Sequence, residues 1–176
     1  MRHSSPLLQG ALDGLCGPYA IVNAVNYLEP LDDDGQAALF RSVMRAISKL
    51  SVLWSGTTTD QVANMLGAAQ AFLGDRHRIS IAFSRPFAHR AFNGDFAAFF
   101  DELAALVDRP HCAAIIGLSK PYEHWTDATY LSGARIALRD SVGLHFIDKA
   151  NCGLHGADKP FAIDHRQAFL IERTGK

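Results

Sequence analysis

The chain has 176 residues, 48% of them hydrophobic and 20% charged, with 17 Lys and Arg against 18 Asp and Glu for a formal net charge of −1. These values exclude a disordered or collagen-like chain, and the balanced charge removes the electrostatic case for a nucleic-acid or anionic-membrane partner. No apolar run approaches the ~18–20 residues needed to span a bilayer, and residues 1–176 fit a single domain.

The start, Met1-Arg2-His3-Ser4-Ser5-Pro6-Leu7-Leu8-Gln9, lacks the apolar segment of a signal peptide. The expectation is synthesis in the cytoplasm, with delivery elsewhere as an effector, by a route that reads no cleavable signal, left open. Cys16, Cys112 and Cys152 are far apart and form no CxxC, which argues against a disulfide framework and a four-ligand zinc site.

In chain order, Cys16–Leu28 reads as a helix that is apolar nearly all round, hence buried and central, and Pro30 stops it. Residues 31–50 read as a second helix, opened by Asp32, Asp33 and Asp34 and carrying Ala38, Leu39, Val43, Met44, Ile47 and Leu50 at helical spacing. Thr59 is the expected cap of a third helix running through Val62, Met65 and Leu66 to Phe72. Residues 78–83 alternate as a short strand. Gly94-Asp95 leads a helix to Val107 with Phe96, Phe99, Phe100, Leu103 and Leu106 as its stripe. Residues 112–118, 125–131, 135–138 and 168–171 are strand-like, and residues 141–158 lack periodicity and are expected to be a loop rimming a cleft. Helices followed by strands give an α+β class, with N-terminal helices packed on a C-terminal antiparallel sheet.

The chemistry concentrates where Cys16 opens the apolar helix behind the Asp13-Gly14 turn. Pro18 suits an early helical position, and the positive end of the helix dipole favours a thiolate, the nucleophilic form. A lone cysteine is as often a core residue, and core packing is the expected role of Cys112 and Cys152. What raises Cys16 above that is the pair His124 and Asp140. Residues 124–140 read as a β-hairpin about a three-residue loop, Leu131-Ser132-Gly133, with Gly133 left-handed. That register pairs Tyr130 with Ala134 and sets His124 directly opposite Asp140, where the carboxylate can hold one imidazole nitrogen and leave the other for a nucleophile. A two-residue loop would shift the register and separate them.

The order Gln9…Cys16-Gly17-Pro18-Tyr19-Ala20, then His124-Trp125, then Asp140-Ser141 resembles the papain-like cysteine peptidase superfamily, nearest its small bacterial branches of bacteriocin-processing and staphopain-like peptidases. The resemblance implies a papain-like fold. It also implies a thiol protease cleaving peptide or isopeptide bonds, with Cys16 as nucleophile, His124 as acid–base, Asp140 as its orienter and Gln9 as oxyanion donor. Asn23 and Asp13 are fallback residues for lining the site. The implied partner is a protein or peptide substrate. No cofactor and no metal are expected, since the remaining histidines show no HExxH or paired spacing. Glutamine deamidases, transglutaminases and arylamine acetyltransferases use the same order of groups, and a peptidoglycan amidohydrolase or a non-catalytic binding module on this fold are further readings.

Overall fold

The computed structural model describes residues 5–9, 14–47 and 52–175. Helix α1 (Cys16–Leu28) has the predicted limits and is buried over most of its circumference, as its lack of charged side chains requires. Its first helical hydrogen bond runs from Tyr19 N to Leu15 O at 3.1 Å, so Pro18 removes an amide hydrogen that would have had no helical partner. Helix α2 (Asp33–Arg45) is capped by Asp32, whose Oδ1 accepts from Gly35 N at 2.8 Å. It ends at Arg45, earlier than the predicted Leu50, and residues 48–50 lie outside the described ones. A short helix α3 (Val52–Ser55) follows.

The cap of α4 (Thr59–His77) is Thr58, not Thr59. Gln61 decides this, because its Oε1 accepts from Thr58 N at 2.8 Å while Thr58 Oγ1 accepts from Gln61 N at 3.3 Å, a reciprocal capping box. Helix α4 continues past Phe72 to His77 and closes on Arg78 in the left-handed conformation, φ 54°. Arg78 therefore ends a helix rather than opening a strand, and β1 is confined to Ile81–Ser84. Asp95 caps α5 (Phe96–Val107) as expected, accepting from Ala98 N at 3.0 Å.

Strands β2 (Cys112–Lys120), β3 (His124–Leu131), β4 (Arg135–Arg139), β5 (Phe146–Asp148), β6 (Cys152–Leu154) and β7 (Phe161–Arg173) complete a mixed α+β fold. The sheet order is β1-β7-β2-β3-β4-β5, antiparallel throughout, with β6 added in parallel beside β7. The stretch expected as plain loop, residues 141–158, thus holds β5, β6 and a 3-10 turn at Lys149–Asn151. The sheet is covered on both faces. Helices α1, α2 and α4 bury Ala113, Ile115, Trp125 and Phe169, while α5 lies on the other face over Ala114, Ile116, Leu118 and Leu138. Among the described residues no helix is long and apolar enough to cross a membrane.

The β3–β4 hairpin differs from its predicted register in an instructive way. Ser132 N donates to Arg135 O at 2.9 Å, closing a two-residue turn at Gly133-Ala134, and Gly133 lies outside the left-handed region. From that turn Leu131 faces Ile136 and Tyr130 faces Ala137. Continued unbroken, this pairing would set Asp140 opposite Asp127, on the other face of the sheet from His124. Thr129 is an extra residue on β3, so beyond it Ala128 faces Leu138 and Asp127 faces Arg139. Asp140 then falls opposite Thr126, on the same face as His124 and diagonal to it.

Gly17, beside Cys16, is dictated by a close approach. A Cβ there would lie 2.2 Å from Thr57 Oγ1 and 3.1 Å from Thr57 Cβ. Thr57 O in turn accepts from Trp125 Nε1 at 2.9 Å. Thr57 is therefore wedged between the neighbour of Cys16 and the neighbour of His124. Overpacking of this kind costs about 1–3 kcal/mol. Gly17→Ala should lower the denaturant midpoint accordingly, and Thr57→Ala in the same chain should restore most of it. Equal losses in the single and double variants would show that the contact is not the cause.

Candidate active site

Cys16 occupies the first position of α1 and is 7% exposed, at the floor of a cleft of about 420 Å³ that is also lined by Gln9, Tyr122, His124, Val142 and Gln167. Its backbone amide belongs to the first turn, where helical N–H groups have no carbonyl partner and the dipole is positive. His124, the first residue of β3, is almost fully buried. Its Nε2 lies 2.6 Å from Asp140 Oδ2, and Cys16 is near enough to act on its ionisation as well. With Nε2 committed to the carboxylate, Nδ1 is the ring nitrogen left for another partner.

Asp140 is held from three directions. Oδ2 meets His124, and Oδ1 accepts from Val142 N at 2.8 Å and Leu144 N at 3.2 Å across a tight turn. Gly143 supplies the positive φ of 86° which that turn requires. Burial works against the charged carboxylate, but the hydrogen bond and charge of His124, with the Val142 amide, hold Asp140 below the usual carboxylate range. For His124, burial opposes the charged ring, yet hydrogen bonds to Asp140 and Cys16 and their charges outweigh it and push the imidazole up to about 9. Tyr122 places its ring 5.5 Å from that of His124, edge to face, and burial with the charges of Asp140 and Cys16 raises its phenol.

Gln9 reaches the cleft from the N-terminal segment. Its backbone N donates to Ser141 O and its Oε1 accepts from Ser141 Oγ, both at 2.9 Å. Of the four residues singled out from the sequence, Cys16, His124 and Gln9 line one cleft, and Asp140 is bonded to His124. Asn23 does not join them: it sits inside the fold with its side chain bonded to the Leu7 backbone. Asp13 lies outside the described residues. Tyr122 and Gln167 line the cleft without having been found in the sequence, where only the closeness of Tyr122 to His124 hinted at it. Val142 and His155, from the stretch expected to rim the cleft, do line it.

The other cysteines do not line this cleft. All three are unpaired, and burial pushes the Cys152 thiol up to about 12. Among the described residues no group of three His, Cys, Asp or Glu is placed to hold a metal ion. Asp127, on the face of β3 away from His124, is fully buried opposite Arg139, and burial raises its carboxyl well above the usual range despite that guanidinium. No family model matches the chain, and no curated protein matches it in sequence.

The pair also sets a pH window for stability. A raised histidine stabilises fully below its unfolded value of about 6.5 and loses that contribution as pH rises through about 9. A depressed carboxylate stabilises above about pH 4 and loses that contribution as pH falls through its folded value. In NMR titrations the His124 ring should stay protonated at pH 8, and Asp140→Asn should lower its titration, because burial favours the neutral ring and the largest raising partner is gone. A His124 titration that does not respond to Asp140→Asn would show that the carboxylate does not hold the proton.

Proposed function

We propose that the chain is a papain-like thiol hydrolase, a cysteine protease that cleaves peptide or isopeptide bonds through an acyl-enzyme. One observation carries this reading: a buried imidazole bonded through Nε2 to a fixed carboxylate lines the same cleft as a cysteine at a helix N-terminus. A fixed carboxylate behind the imidazole and a helix start under the cysteine are the parts a thiol acyl-transfer centre uses to activate its nucleophile and hold its acid–base group.

In this mechanism the Cys16 sulfur attacks the substrate carbonyl carbon. The C–S bond forms as the carbonyl π pair moves onto oxygen. The oxyanion is met by the Cys16 backbone amide and the Gln9 side-chain amide. As the tetrahedral species collapses, the C–N bond breaks and His124 gives its Nδ1 proton to the leaving nitrogen. His124 then takes a proton from water, whose oxygen attacks the thioester and releases the carboxylic acid and Cys16. Asp140 holds the ring through Nε2 in both steps. Deamidation follows the same steps on a side-chain amide, and an amine in place of water gives transamidation, so products formed with and without added amine distinguish these acceptors.

Iodoacetamide should label Cys16 ahead of Cys112 and Cys152, and His124→Ala should slow labelling at Cys16 alone. With p-nitrophenyl acetate as the probe, the chain should give a burst of p-nitrophenolate and an acetylated Cys16 peptide by mass spectrometry. Cys16→Ala should abolish the burst, and His124→Ala should lower it by about 10²–10⁴-fold. Equal labelling of the three cysteines, or a burst that survives Cys16→Ala, would overturn the reading.

A further inference from the structure

An asparagine in the middle of an apolar helix needs an explanation. Asn23 lies within α1 and is completely buried, where an unsatisfied amide is costly. Its side chain is satisfied by one residue: Oδ1 accepts from Leu7 N at 2.7 Å and Nδ2 donates to Leu7 O at 3.1 Å. The amide thus binds the main chain of Leu7 as a neighbouring strand would. Further along the same segment, Gln9 is bonded through backbone and side chain to Ser141, the residue after Asp140. The segment 5–9 is therefore held at one point by the helix that carries Cys16 and at the other by the turn that carries Asp140.

We propose that Asn23 is a positioning residue of the acyl-transfer site: by clamping Leu7 onto α1 it registers the Gln9 side chain against Cys16. The proposal rests on the reading above, in which Cys16 is the nucleophile and Gln9 meets the oxyanion. Cys16 opens α1 and Gln9 follows the Leu7 that Asn23 fastens to α1, so both are referred to one helix. A donor displaced by about 1 Å loses much of its effect, since removing an oxyanion donor costs about 10²–10³-fold in rate.

The test compares two reactions at Cys16. Hydrolysis of p-nitrophenyl acetate passes through an oxyanion, whereas alkylation by iodoacetamide is displacement at a saturated carbon and forms none. Asn23→Leu should slow the p-nitrophenolate burst by about tenfold or more while alkylation of Cys16 stays within about twofold. Gln9→Ala should show the same split, and the Gln9→Ala/Asn23→Leu double variant should be no slower than Gln9→Ala alone. A wild-type burst in Asn23→Leu, an equal fall in burst and alkylation, or additive losses in the double variant would overturn the proposal. Should Asn23→Leu fail to fold, Asn23→Asp keeps the acceptor for Leu7 N and loses the donor to Leu7 O. It is expected to slow the burst with alkylation unchanged and with the same non-additivity, and a wild-type burst there would equally overturn it. Cys16→Ala separates the two levels. A burst that persists in Cys16→Ala removes the underlying reading and the proposal together. A silent Cys16→Ala leaves the Asn23 variants to judge the proposal alone.

Discussion

The site depends on an ion pair placed where water is nearly absent. His124 and Asp140 meet at 2.6 Å with side chains only 3% and 0% exposed. Removing one partner of such a pair typically costs about 3–5 kcal/mol, because the other is left charged in the interior. The surroundings are built to keep both partners in place. Two backbone amides hold the far oxygen of Asp140. Tyr122 packs edge-on against the imidazole, and Trp125 anchors the next residue of β3 to the loop below α1. The pair is thereby a rigid object, and Cys16 is brought to it by the start of a helix that is itself buried.

That rigidity has a topological requirement. A sheet alternates its side chains, so the two partners share a face only if the hairpin register has the right parity. The turn at Gly133-Ala134 sets the wrong parity, and the extra residue Thr129 corrects it before the strands reach His124. The bulge therefore determines which face Asp140 occupies. The same shift leaves Asp127 and Arg139 together on the other face, buried against α1.

The second requirement is that elements distant in sequence agree on one position. Cys16 comes from α1, His124 and Asp140 from the central hairpin, and Gln9 from a segment that belongs to neither. Two small contacts tie them. Thr57 sits between Gly17 and Trp125, and Asn23 with Ser141 grips the chain on either side of Leu8. A hydroxyl or amide fixed at each joint lets separate elements act as one frame.

Much of this was legible in the residues. The limits of α1, the Asp95 cap, the stripe of α5 and the central strands follow from local signals that need no tertiary partner: proline stops, caps and the periods of helix and strand. The meeting of His124 with Asp140 was expected from the hairpin, and the presence of Gln9 near Cys16 from the resemblance that their order carries. The Thr58 cap is a local signal too, since Thr58 and Gln61 write a capping box within four residues. Other features were not local. The diagonal meeting of His124 and Asp140 depends on a bulge, and nothing in Thr129 alone marks it as the extra residue. The role of Asn23 depends on a contact with Leu7, which helical spacing cannot reveal. Helix α5 covers the far face because the sheet needs both faces buried, a property of the whole core. Local propensity and chemical type thus follow from the chain order, whereas parity, burial and the choice of polar partner arise only when distant segments close on one another and compete for the same space.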